Sequence, residues 1–76
     1  MRVDNKHSAL ITFGENLRNF RKEIGLSQEE LALQADLDRA YVGGLERGER
    51  NPTIMSLLRI AKPLEVTVSE LLEGVK

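Results

Sequence analysis

Apolar residues recur at three- and four-residue steps through most of this chain. Leu10, Phe13, Leu17, Phe20 and Ile24 form one such stripe, as expected of an amphipathic helix with one face turned to a core. Arg18, Arg21, Lys22 and Glu23 fall largely on its other faces, and Gly25 follows where a left-handed C-terminal cap is expected. A second helix begins at Ser27, whose spacing from Glu30 is that of a capping box, with Leu31, Ala32 and Ala35 inward. Asp38 reads as the next N-cap, so the second helix must stop near Asp36. A third helix is predicted over residues 39–47, held by Val42 and Leu45 and ended by Gly48. A fourth follows Asn51-Pro52-Thr53, with Thr53 as cap, Ile54, Leu57, Leu58 and Ala61 inward, and Pro63 ending or distorting it. Thr67 and Glu70 repeat the capping-box spacing before a short fifth helix carrying Leu71 and Leu72. The pattern predicts an all-α fold of five helices. Residues 1–8 are polar and read as a flexible tail, and residues 9–76 as a single domain.

The second and third predicted helices are joined by little more than Asp36-Leu37-Asp38. A connection that short imposes a large angle between them. Ala32 then lies where the two helices approach, Asp36 occupies a turn position that favours a left-handed backbone, and Leu37 fills the angle. The outer face of the third helix is left free.

Composition narrows the picture. A chain of 76 residues has room for one domain with a modest core, and such domains often gain stability from disulfides, a metal or a second subunit. No cysteine is present and His7 is the only histidine, which leaves a second subunit. Leu64, Val66, Val68, Leu72 and Val75 exceed what one small core buries and are the candidate dimer surface. No run approaches the roughly 18 apolar residues of a membrane span, and no cleavage signature follows the N-terminus. A cytoplasmic protein with no membrane partner is therefore expected.

The formal net charge is −1, but its distribution is uneven. Residues 27–38 carry four acids and no base, whereas residues 39–62 carry five Lys/Arg against two acids. The sign changes where the third helix begins, giving local positive potential despite the overall balance. Enzyme chemistry is not expected: there is no cysteine nucleophile, no histidine near a serine or an acid, and no phosphate-loop pattern. No cofactor or metal is expected either.

Two words carry a resemblance: Gly25-Leu26-Ser27-Gln28-Glu29-Glu30-Leu31-Ala32, and Tyr41-Val42-Gly43-Gly44-Leu45-Glu46-Arg47-Gly48-Glu49-Arg50-Asn51-Pro52-Thr53. With their spacing, residues 14–72 resemble the XRE-type helix-turn-helix family of phage repressors and Cro proteins. The second word is similar to the controller proteins of restriction–modification systems. The resemblance implies a lambda-repressor-like domain whose third helix enters the DNA major groove. Arg39, Ala40 and Gly44 match base-reading positions: an arginine can bond a guanine edge twice, and alanine can meet a thymine methyl. Gly44 departs from the commoner polar residue there. Gln28, Tyr41, Arg47, Arg50 and Asn51 match contacts to the DNA backbone. Arg21 and Glu46 match a structural pair tying the first helix to the third.

The implied function is that of a homodimeric, autoregulatory transcriptional regulator on a palindromic operator, its reading helices about 34 Å apart. Control of a restriction–modification operon leads. A prophage-type repressor, or an antitoxin acting on its own promoter, is the alternative. Double-stranded DNA, a second copy of the chain and RNA polymerase are the candidate partners. Gly43 and Gly44 each weaken a helix by roughly 1 kcal/mol relative to alanine. Either the backbone must approach DNA closely, or Val42 and Leu45 pin the helix well enough to tolerate them.

Overall fold

The computed structural model describes residues 7–76 and contains five helices among them: α1 (Ser8–Ile24), α2 (Gln28–Ala35), α3 (Arg39–Glu46), α4 (Ile54–Leu64) and α5 (Val68–Leu71). Local chemistry sets most of their ends. Ser27 accepts a hydrogen bond from the Glu30 amide while Glu30 accepts one from the Ser27 amide, completing the expected capping box. Thr67 and Glu70 do the same for α5. Thr53 accepts from the Ser56 amide at the start of α4. Gly25 ends α1 at φ 82°, a left-handed conformation that glycine adopts without Cβ strain.

Two boundaries move. The helix α1 starts at Ser8, and His7 caps it by accepting the Ala9 amide through Nδ1. Residues 7 and 8 are thus the cap and first residue of α1, while residues 1–6 of the expected tail lie outside the described residues. Pro63 lies inside the last turn of α4, which runs one residue further to Leu64. A proline so near the C-terminal end interrupts little of the helix beyond it.

Every helix contributes to one core. Phe13 and Leu17 of α1, Leu31 of α2, Val42 and Leu45 of α3, Ile60 of α4 and Leu71 of α5 are almost wholly excluded from solvent. Truncating one such leucine to alanine costs about 2–5 kcal/mol. The amide side chain of Asn16 ties α1 to the C-terminal end, donating to the Leu71 and Glu73 carbonyls at 2.9 and 2.8 Å.

The phase of α4 differs from the expectation. Leu57, Ile60, Ala61 and Leu64 face the core, whereas Ile54 and Leu58 are exposed, together with Met55. Arg59 and Lys62 mark the outer side of this helix, and Ile54 and Leu58 lie toward that side although they are apolar. Leu64 is buried within its own chain, which removes it from the candidate dimer surface. Val66, Val68, Leu72 and Val75 are half-buried and pack on the core. Ile24, at the end of the α1 stripe, is also exposed. Among the described residues, no helix is long and apolar enough to cross a membrane.

Candidate nucleic-acid interface

The corner between α2 and α3 is built as its three linking residues dictate. Asp36 sits in the left-handed region at φ 58° and ψ 47°. That turn lets the Leu37 amide donate back to the Ala32 carbonyl at 2.8 Å, closing the end of α2. Asp38 then caps α3 by accepting the Ala40 amide. Ala32 and Ala35 are buried, and Leu37 packs against the core between the helices. The helix α3 begins where the polar linker ends, with Val42 and Leu45 fixing its inner face.

A second closure joins α3 to α1. Glu46 accepts from Arg21 through both Nε and Nη2, and from Gln28 Nε2 at 2.9 Å. Arg21 also donates to the Leu26 carbonyl at 2.9 Å. The Arg21 and Glu46 side chains are only 11% and 3% exposed, so the pair is formed inside the domain, between α1 and α3. Above it α1 crosses α3 at Gly14, where a Cβ would stand 2.5 Å from the Leu45 carbonyl oxygen and 2.6 Å from that of Glu46. Only a residue without a side chain permits that approach. The sequence offers one signal for it, a glycine beside the apolar stripe of a helix, and that signal does not by itself single the position out.

The expected DNA-facing residues divide into groups. Arg39 and Ala40, the first two residues of α3, are exposed, as are Arg47, Arg50 and Asn51. Arg47 pairs with Glu49, Nε to Oε1, at 3.0 Å on the surface, an exposed arrangement of little energetic weight that a phosphate can displace. Gln28 is half-buried, with its amide nitrogen committed to Glu46. Tyr41 is also half-buried, and its hydroxyl donates to Ser56 Oγ at 3.2 Å.

Gly44 is set differently from Arg39 and Ala40. It is buried beneath the side chain of Arg50, and a Cβ there would lie 2.6 Å from Arg50 Cγ. The position therefore does not present itself as an open base-reading point. Gly43 is likewise buried, beside the Arg47 guanidinium and the Gln28 amide oxygen.

What remains exposed is a helix N-terminus bearing Arg39 and Ala40, flanked by the guanidinium groups of Arg47 and Arg50. Such a surface can offer paired donors to a base edge, a methyl-sized apolar contact, and cations to phosphates on either side.

Comparison with known proteins agrees with this geometry. The helix-turn-helix family profile matches residues 17–71. The chain is 43% identical over 67 residues to the control protein C.MunI of Mycoplasma sp, covering 87% of this chain and 90% of that one. The restriction-modification controller protein C.AhdI from Aeromonas hydrophila superposes with a TM-score of 0.84 at 46% identity, over 86% of this chain and 98% of that one. SinR, a master regulator for biofilm formation solved in complex with DNA, superposes with a TM-score of 0.78 at 35% identity, over 80% and 98%.

Proposed function

The chain belongs to the XRE-type helix-turn-helix family of DNA-binding transcriptional regulators, and from that premise we propose that it acts as a homodimer on a two-fold symmetric operator and controls a restriction–modification operon. The observation that carries this reading is the exposed start of α3. Arg39 and Ala40 project from a helix whose opposite side is pinned by Val42, Leu45 and the buried Arg21–Glu46 pair. Arg39 and Ala40 read base edges, while Arg47, Arg50 and Asn51 set the register along the phosphates.

One α3 reaches few bases, so useful affinity calls for two. Ile54, Met55 and Leu58 on α4 are the apolar residues that favour a symmetric partner, being 73%, 60% and 50% exposed. Val66, Val68, Leu72 and Val75 border the core and serve at most as its rim. Two named controller proteins among the relatives support the restriction–modification assignment. The work is done in the cytoplasm, where the operon is transcribed, and binding near its promoter blocks or recruits RNA polymerase. Autoregulation follows where the protein's own gene lies behind that operator.

The test is footprinting of the region upstream of its own operon, followed by Arg39→Ala. The substitution should cost about 1–3 kcal/mol on the protected site and relax sequence preference. Equal weakening on the protected site and on random DNA would remove Arg39 as a base reader, and no protection at all would remove the function.

A further inference from the structure

Arg50 lies outside α3, beyond the turn at Gly48, yet its side chain folds back across that helix. A Cβ placed on Gly44 would meet its Cγ at 2.6 Å, its Cδ at 3.5 Å and its Cβ at 3.8 Å. The guanidinium carbon then lies 5.2 Å from the centroid of the Tyr41 ring, within the range of a cation–π contact. Tyr41 and Gly44 stand three apart on α3 and so share one face. The ring is itself fixed, because its hydroxyl donates to Ser56 Oγ, which also accepts from Thr53 Oγ1 at 3.0 Å.

We propose that Gly44 and Tyr41 form a seat that holds Arg50 in place before DNA arrives, with Gly44 as a positioning residue and not a reader. The inference rests on the DNA-binding function proposed above. The bare Cα of Gly44 provides the channel for the arginine stem, and the Tyr41 face holds its head. An arginine ordered in advance loses less freedom on binding than one that samples many rotamers.

The two adjacent glycines thereby separate. A Cβ on Gly43 would meet only the ends of two flexible side chains, Arg47 Nη1 at 3.1 Å and Gln28 Oε1 at 3.5 Å. Both can shift without moving their stems. A Cβ on Gly44 meets Cγ, the second carbon of the Arg50 side chain. Relieving that clash requires rotation about χ1, which swings the whole arginine off the ring.

The experiment compares the wild type with Gly43→Ala, Gly44→Ala, Arg50→Ala and the double variant Gly44→Ala/Arg50→Ala. Without DNA, NMR should find the Arg50 δ protons shifted upfield by the Tyr41 ring in the wild type and in Gly43→Ala, and returned to ordinary values in Gly44→Ala. Gly44→Ala should melt no lower than the wild type, since alanine is the better helix former. On the footprinted operator, Gly44→Ala should bind about threefold to tenfold more weakly, and Gly43→Ala within about twofold of wild type on the same argument. With Arg50 already removed, Gly44→Ala should change affinity no further. Unshifted δ protons in the wild type overturn the seat. So does wild-type affinity in Gly44→Ala, or a loss of the same size whether or not Arg50 is present. If the wild type binds no operator, the DNA-binding reading falls, and the δ-proton shift alone decides whether the seat exists.

Discussion

Removing Glu46 is the sharpest test of how α3 is held. Its carboxylate is 3% exposed and receives three donors, two from Arg21 and one from Gln28. In Glu46→Ala the Arg21 guanidinium keeps only the Leu26 carbonyl, in surroundings where its own side chain is 11% exposed. Leaving one member of a buried pair without its partner costs about 3–5 kcal/mol, far above the 0–1 kcal/mol of a surface pair. A chain of 76 residues has on the order of 4–11 kcal/mol in total. The variant should therefore sit near the edge of unfolding, with its melting temperature lowered by roughly 12–40 °C. Urea unfolding followed by circular dichroism, at one fixed protein concentration, measures the loss. Arg21→Met/Glu46→Leu supplies the contrast: with both charges replaced by apolar groups of similar bulk, most of the stability should return. A loss below about 1 kcal/mol in Glu46→Ala would mean that the pair behaves as a solvated one. The account of α3 as a helix locked from behind would then be wrong.

Gly14→Ala gains roughly 1 kcal/mol of helix propensity, but its Cβ meets two backbone oxygens of α3 within 2.6 Å, and backbone cannot rotate aside. Overpacking of that kind costs about 1–3 kcal/mol or more, so both thermal stability and operator affinity should fall; a variant more stable than wild type would refute the close crossing. The Glu30 carboxyl is held below its ordinary value, first by the Ser27 amide and then by the Ser27 hydroxyl. Its stabilising contribution is therefore complete above the unfolded value of roughly pH 4.3 and is lost as pH falls through the lower folded value. The difference in melting temperature between wild type and Glu30→Gln should shrink over that acid range, and a constant difference would contradict the capping role. If the proposed dimer forms through α4, Leu58→Asp, at a position 50% exposed, should sediment at half the wild-type mass while leaving the helix content intact. An unchanged dimer would place the interface elsewhere.

The sequence made the helix ends more legible than the helix faces. Ser27, Asp38, Thr53 and Thr67 all cap as their side-chain chemistry requires, and Asp36 takes the left-handed turn. Such interactions are local, and the residues that make them lie within a few positions of one another. His7 was missed because imidazole is not among the usual N-cap groups, although its Nδ1 performs the same role here. Ile54 and Leu58 were placed inward on their apolarity alone, although Arg59 and Lys62 mark the outer side of α4 and put both residues toward it. The roles of Gly14 and Gly44 were hidden for a different reason. What each would touch belongs to a backbone or side chain brought close only by tertiary structure. Gln28 and Tyr41 show the same limit, since Glu46 and Ser56, their bonding partners, are 18 and 15 residues away.

The acidic run in residues 27–38 looks out of place beside a surface proposed to meet a polyanion, yet most of it has structural work. Glu30 closes the capping box of α2, Asp36 makes the left-handed turn, and Asp38 caps α3. Glu29 lies with Glu30 in the first turn of α2, where negative charge meets the positive end of the helix dipole. Together these acids form the corner that presents α3, and α3 needs it. The helix has eight residues, two of them glycine, and isolated helices shorter than about 12 residues are marginal in water. Its order is therefore a tertiary property, supplied by Val42, Leu45 and Glu46 from inside and by the capped turn at its start. Replacing the acids to improve the global charge would weaken the presentation of Arg39 and Ala40 more than it strengthened long-range attraction, which salt screens over about 8 Å under physiological conditions. Net charge is a poor guide to the proposed function because the negative groups shape the corner that presents α3, while the cations beside it remain exposed.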